Sequence, residues 1–395
     1  HSNSSKASQP IAPMAQPDPP AQKPTRKRYG WRVFWVLLLM ALIGLVVLGF
    51  AIAKEVRTSK IQSREFSRFA ANLSYSVQAG PSDSIYYPGL GPFDKRLGYS
   101  ALGDFLPRLL KRDYVIAEQA RFSPEMLSYG QKGFFVPYAE KIQAGLSITD
   151  CSGGSLYQYN YPQQLYPTFA SIPPLVVHSL LFIENRDLLD PKQPLNNPAV
   201  DWPRFAMAAY SQVAKLFHLP GQSAGGSTLA TQLEKYRHSP DGLTVSGTEK
   251  LRQMISASVR AYQDGPNTLI ARQNIVRDYL NSVPLSAVPG HGEVHGMAEG
   301  MRVWYGTDFN QVNQYLASAA TDPQSLANKG LALREVLSLM IAQRRPSYYL
   351  TKGRDELAQL TDSHIRLLAQ NNVIDAALTQ AALTSRVTYR DWQVS

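Results

Sequence analysis

Cysteine is all but missing from this chain: Cys151 stands alone among 395 residues. A single thiol excludes an intrachain disulfide and any cysteine-based zinc site. It reads as a small buried filler rather than a nucleophile. Acidic residues are also short, 30 Asp and Glu against 40 Lys and Arg, which leaves a formal charge of +10. That excess is either a solvated surface with a basic flank or a sign of an anionic partner. No helix-turn-helix, zinc-finger or RNA-binding signature accompanies it, so nucleic acid is not expected and lipid phosphate is the favoured anion. No segment recurs with a period of roughly 20–50 residues, which excludes a solenoid or propeller. Between Phe34 and Ala53 charge is absent altogether.

That stretch, FWVLLLMALIGLVVLGFAIA, matches the roughly 20 apolar residues that cross a hydrocarbon core as a helix. A cleaved signal peptide would have a shorter apolar region and a small-residue cleavage site, whereas Lys54, Glu55 and Arg57 follow here at once. Lys23, Arg26, Lys27, Arg28 and Arg32 precede the span, and Glu55 dilutes Lys54, Arg57 and Lys60 after it. The positive-inside rule therefore sets the N-terminus in the cytoplasm and the bulk of the chain outside it.

Four regions result. Residues 1–30, rich in Pro, Ser, Gln and Ala, read as a disordered cytoplasmic tail. Residues 31–53 are the transmembrane helix. Residues 54–147 hold a juxtamembrane helix, with helical spacing from Lys54 to about Ala79, and a small α/β linking module whose task the sequence does not reveal. Residues 148–390 form the main domain. It opens with strand, turn and strand around Ile148–Tyr157. Helical patterns then dominate, at 174–184, about 202–217, after Gly225-Gly226, 248–262 with Ser246 and Glu249 at capping-box spacing, 270–283, 297–304, 310–320, 331–343, 354–370 and 373–384. The fold class is thus mainly α.

Two places carry the means for chemistry. Gly225-Gly226-Ser227-Thr228 runs into Leu229-Ala230-Thr231-Gln232-Leu233-Glu234-Lys235. Glycines permit close backbone approach, Ser227 or Thr228 can cap the helix, and free N–H groups at a helix start favour an anion. Thr228, Gln232 and Lys235 share one helix face. A Gly-Gly turn before a capped helix is nonetheless a common structural device. Glu184 ends the apolar run Leu180-Leu181-Phe182-Ile183. A carboxylate in such surroundings can serve as a general base. The plainer reading is a helix-end Glu paired with Arg186.

The order of segments resolves the choice. Glu184 is followed by DWPRF at 201–205, GGSTLATQLEK at 225–235, EKLRQMISA at 249–257, NIVRDYLN at 274–281, EVHGMAEGMRVWYG at 293–306 and REVLSLMIAQRRPSYY at 334–349. This series resembles the peptidoglycan glycosyltransferases of family 51, the glycan-polymerising module of penicillin-binding proteins, over about residues 148–386. The resemblance implies a lysozyme-like, mostly helical glycosyltransferase domain with a membrane-dipping smaller lobe. It implies polymerisation of a lipid-linked disaccharide-peptide, lipid II, into β-1,4 glycan with inversion and release of undecaprenyl pyrophosphate.

Residue by residue, Glu184 stands at the position of the catalytic base, with Asn185 and Arg186 beside it. Ser227, Thr228, Gln232 and Lys235 match the motif that faces the donor's pyrophosphate. Lys250 matches the lysine of the third motif, and Asn281 the asparagine that ends the fourth. Several positions depart from the pattern: Asn185 replaces Asp, Leu188 and Pro191 stand in the first motif's aromatic and His places, Glu249 replaces the third motif's Arg and Gln253 its Glu, and Arg277 stands where the fourth motif has Glu. Arg277 either marks a family member that has lost polymerase activity and serves as a lipid II-binding or cell-wall-assembly scaffold, or contacts the pyrophosphate itself. An Arg fork suits phosphate and could stand in for a carboxylate–metal pair. No cofactor is therefore required, although the family leaves room for Mg²⁺ or Mn²⁺. The partners implied are lipid II, the nascent glycan, membrane lipid and other cell-wall synthesis or division proteins. The location implied is the bacterial cytoplasmic membrane, with the main domain outside it.

Overall fold

A computed structural model describes residues 27–89, 91–207 and 227–392. The expected tail before residue 27, the expected helix beyond residue 207 and Gly225-Gly226 lie outside the described residues. The chain divides into two units, residues 1–54 and 55–395.

In the first unit one helix dominates. Helix α1 spans Lys27–Thr58, longer than the 31–53 expected, because helix-forming residues continue on both flanks of the apolar run. Every residue from Gly30 to Lys54 is exposed, and the helix is long and apolar enough to cross a membrane.

In the second unit the expected helix from Lys54 to Ala79 is interrupted twice. Ser59 takes a left-handed conformation with φ 48°, which ends α1. Helix α2 (Lys60–Ala71) then begins, and the Glu55 carboxylate accepts from the free N–H groups of Ile61 and Gln62 at 2.9 Å each. Past Asn72 the chain turns to strand β1 (Tyr75–Ala79). The linking region continues with α3 (Pro92–Arg96), α4 (Leu102–Leu110), β2 (Glu118–Phe122), which pairs antiparallel with β1, and α5 (Pro124–Gln131). Strands β3 (Ala144–Thr149) and β4 (Ser155–Tyr161) form the expected hairpin. Cys151 lies at its turn and is exposed, contrary to the expected buried filler, since a tight turn between two exposed strands has no interior to fill.

Among the described residues the main domain holds α6 (Pro174–Glu184), a helical stretch at 202–207, α7 (Leu229–His238), α8 (Gly247–Ala261) and α9 (Leu269–Ser282). An antiparallel hairpin follows, β5 (Pro284–Val288) with β6 (Gly292–His295). The remaining helices are α10 (Gly296–Gly300) with a π-helical turn at Met301–Tyr305, α11 (Phe309–Ala317), α12 (Pro323–Ala342), α13 (Pro346–Tyr349), α14 (Arg354–Gln370) and α15 (Ala376–Thr384). Side-chain caps set many of the starts. Ser246, Asp308, Asp322 and Asp375 accept from the N–H three residues on at 3.0, 2.8, 2.9 and 2.8 Å, each cap contributing about 1 kcal/mol.

Helix α12 is the axis of the core. From Leu333 to Ala342 every residue is buried, as expected of a helix surrounded on all sides. It packs against α11, α14 and α15 and also against α6. Gly330 allows the closest approach: a Cβ there would meet the Ala381 backbone carbon at 2.6 Å. Contact with α6 matters for function, because it brings the end of α12 beside Glu184.

The linking region is built into the same unit as the main domain. Phe66 of α2 stacks on Tyr262 with centroids 5.9 Å apart. Asn197, fully buried, donates to Gln62 and to Ser258. At the other side α3 meets the end of α7 so tightly that a Cβ on Gly91 would lie 2.0 Å from the Arg237 carbonyl oxygen. Under this contact runs a buried ion network. Glu140 binds Arg237 at 2.5 Å, His238 at 2.5 Å and Arg260 at 3.2 Å. His238 also meets Asp94 at 2.9 Å, and Arg260 meets Glu234 at 2.6 Å. Burial alone would make the Glu140 carboxyl easier to protonate, but Arg260, His238 and Arg237 hold it well below the usual range. Burial likewise opposes a charge on His238, yet Glu140 and Asp94 raise it to about 9.

Candidate active site

Glu184 ends α6 because the next residue, Asn185, leaves helical geometry at φ −160°, ψ 88°. Its carboxylate is half-buried and is held from two sides by amides. Gln232 of α7 donates to Oε2 at 3.3 Å, and Gln343, which caps the end of α12, donates to Oε1 at 3.4 Å. Both amides turn their oxygens to the Tyr236 hydroxyl, 3.3 Å from Gln232 and 2.9 Å from Gln343. The hydroxyl has one proton to donate, and at the shorter distance it goes to Gln343, fixing which end of that amide faces the carboxylate. Arg186 is not the partner that the plainer sequence reading supposed. Its guanidinium lies 4.0 Å over the Phe182 ring and its Nε donates back to the Phe182 carbonyl.

Two lysines complete the arrangement. Lys235, one turn beyond Gln232, lies 4.6 Å over the Tyr236 ring. Burial makes its ammonium easier to deprotonate than an ordinary lysine, and Glu184 works in the opposite sense. Lys250, in the first turn of α8, donates to Ser227 Oγ at 2.5 Å. Its ammonium is destabilised by burial and then by the charge of Lys235. A carboxylate and two desolvated ammonium groups therefore stand together, an arrangement that an incoming anion would relieve.

The other expected residues have different surroundings. Thr228 is buried and caps α7, accepting from Thr231 N at 3.3 Å while its own N–H donates to Thr231 Oγ1 at 3.0 Å. Asn185 bonds through its backbone to Leu181. Asn281 is buried, and its amide pairs in both directions with the Tyr166 backbone at 2.8 Å, which ties α9 to the segment before α6. Gln253 is buried and donates to Ser239 at 2.9 Å and Thr244 at 3.0 Å. Of the expected capping box, Ser246 does its half, while the Glu249 carboxylate turns to Ser239 and Arg252.

Arg277 lines a different space. A cavity of about 690 Å³ lies among α7, α8, α9 and the segment 137–142, lined by Arg277, Asp278, Arg237, Arg260, Glu140 and Glu234 with apolar neighbours. On α7 the residues at this cavity, Ala230, Leu233, Glu234 and Arg237, occupy the helix face opposite Gln232 and Tyr236. Arg277 Nε donates to Asp278 Oδ1 at 2.7 Å, and Asp278 also faces Arg237 at 3.7 Å.

Sequence reasoning missed Gln343 and Tyr236. Gln343 lies within the quoted segment 334–349, but nothing in one sequence ties it to a glutamate 159 residues earlier. Tyr236 directly follows Lys235, but no sequence signal ties its hydroxyl to the amides around Glu184.

The fold and this site define a mainly helical domain with an amide-held carboxylate beside two partly buried lysines. The family model of transglycosylases matches residues 152–371, more than half of the chain, and the chain belongs to that family. It is a peptidoglycan glycosyltransferase in the general sense that the family defines. No curated protein matches the chain.

Proposed function

We propose that this protein polymerises lipid II, the lipid-linked disaccharide-peptide, into β-1,4 glycan at the outer face of the cytoplasmic membrane, held there by α1. The carrying observation is the Glu184 carboxylate, clamped by Gln232 and Gln343 with Lys235 at its side. Glu184 takes the proton of the acceptor sugar's 4-hydroxyl. The oxygen attacks the anomeric carbon of the donor, the bond from that carbon to the pyrophosphate oxygen breaks, and undecaprenyl pyrophosphate leaves with the electron pair. Attack opposite the leaving group inverts the anomeric centre. Lys235 and Lys250 offset the charge that builds on the pyrophosphate, the largest kind of contribution that fixed groups make. Ser227, which accepts from Lys250, positions that ammonium.

The residues at Arg277 do not fit a divalent cation. The guanidinium is itself a cation, and the nearest carboxylate, Asp278, is shared between Arg277 and Arg237. Among the described residues no three His, Cys, Asp or Glu side chains converge as a ligand set. Polymerisation is therefore expected to continue in chelator; activity that stops with chelator and returns with Mg²⁺ would contradict this.

A second reading, a lipid II-binding or cell-wall-assembly scaffold, is favoured by Arg277, Gln253 and Asn185, which remove carboxylates from the family pattern. Fluorescent lipid II given to the purified protein separates the two: polymer supports the first reading, and binding without product supports the second.

A further inference from the structure

Helix α4 belongs to the linking region but takes no part in its ion network or its strand pairings. It lies outside the residues matched to the transglycosylase family. Over 102–115 the sequence reads LGDFLPRLLKRDYV. At 100° per residue, Leu102, Phe105, Leu106, Leu109 and Leu110 fall within one arc of the helix, and Asp104, Arg108 and Lys111 on the opposite one. A soluble helix with such a face buries it, yet no residue of α4 is buried. Phe105 is 55% exposed, Leu110 48%, and beyond the helix Tyr114 is 62% and Val115 82% exposed.

We propose that α4 and its extension to Val115 lie in the plane of an anionic bilayer surface, as a second membrane contact beyond α1. This rests on the reading that α1 is membrane-embedded. A stripe of Leu and Phe backed by basic residues is the pattern of interfacial helices. Arg108, Lys111 and Arg112 outnumber Asp104 and Asp113, so the segment is drawn to anionic head groups. Lysine and arginine stems can lie along the apolar boundary while their charges reach the head groups. Tyr114 has the ring that prefers this boundary. Tethering by the span about 45 residues upstream raises the local concentration of lipid, so a short helix suffices.

The chain's lone thiol makes the test clean. In a Cys151→Ser background, Phe105→Cys, Leu110→Cys and Asp104→Cys are spin-labelled one at a time. The full chain is reconstituted in phosphatidylethanolamine–phosphatidylglycerol vesicles. Labels at 105 and 110 are expected to be open to dissolved oxygen and shielded from a water-soluble nickel chelate, with the label at 104 reversed. Phe105→Glu with Leu110→Glu should abolish the shielding of a label at Val115→Cys while the protein still floats with the vesicles. Labels at 105 and 110 as nickel-accessible as that at 104, in protein that floats, would overturn the inference and leave α1 as the anchor. Shielding from both oxygen and nickel would also overturn it, in favour of a protein contact. Protein that does not float would overturn the anchoring and the inference together.

Discussion

Replacing Gln343 with Leu tests whether the clamp around Glu184 works as its geometry indicates. Gln343 donates to Glu184 Oε1 at 3.4 Å and accepts from the Tyr236 hydroxyl at 2.9 Å. Leu is close in size, so no large cavity opens, and Tyr236 keeps Gln232 Oε1 at 3.3 Å as an acceptor. Leu removes both of these bonds, but the Tyr236 proton passes to Gln232, so the net loss is one hydrogen bond to a charged group, worth about 1.5–3 kcal/mol at good geometry. At 3.4 Å the lower figure applies, and about 1.4 kcal/mol corresponds to tenfold in rate. We expect kcat/KM for lipid II polymerisation, followed by gel separation of fluorescent glycan, to fall about tenfold with little change in Tm. A value within about twofold of the unaltered protein would show that Gln343 does not position the carboxylate. A fall as deep as that of Glu184→Gln would show that Gln343 touches the substrate itself.

Further expectations rest on the lysines, the ion network and one buried acid. Lys235→Met and Lys250→Met should each lower kcat by about 10²–10³-fold, the range for removing one group that stabilises developing charge, and leave the circular dichroism spectrum unchanged. Because both ammonium groups are easier to deprotonate than ordinary lysines, activity should decline with rising pH before the usual lysine range is reached. Glu140→Ala takes from Arg237, Arg260 and His238 the one buried carboxylate they share, leaving each a single other acid, and should cost about 3 kcal/mol in stability, the low end for a broken buried pair, read by denaturant unfolding. His238 is raised from 6.5 to about 9, so its stabilising share is complete below pH 6.5 and lost as pH climbs through 9; His238→Gln should flatten the stability profile across that window. Glu335 is raised by burial from 4.5 to about 7, and its Oε2 has no partner. Ionising it therefore removes stability as pH rises from 4.5 through 7, and Glu335→Gln should be the more stable protein at pH 8.

Most of the helical framework was legible because apolar periodicity and capping residues point the same way. The helix at 174–184 and the cap at Ser246 are local features, decided within a turn or two. The strands at 75–79 and 284–295 were not legible. β1 continues the helical spacing of α2 and is strand because it pairs with β2, some 40 residues away. The hairpin of β5 and β6 carries a turn signal in Pro289-Gly290, but its strands of five and four residues are too short to show a pattern of their own between helices. At the site, Glu184, Gln232 and Lys235 could be proposed from motif order, and they do stand together. Thr228 and Asn281 show the limit of that reasoning: a position matched by sequence can be occupied by a cap or a backbone clamp. Arg277 shows it again, since helix position alone could not tell that α7 would stand between it and Glu184.

Glu184→Gln is the sharpest test of the account, because the amide keeps the shape of the side chain and removes only the base. With the full chain in lipid vesicles and fluorescent lipid II, the unaltered protein should make polymer. The variant should bind the lipid but lose about 10²–10⁴-fold in rate, the usual share of a positioned general base. A variant that polymerises within about tenfold of the unaltered protein would remove Glu184 from the mechanism. An unaltered protein that binds lipid II and makes no polymer would contradict the enzyme itself.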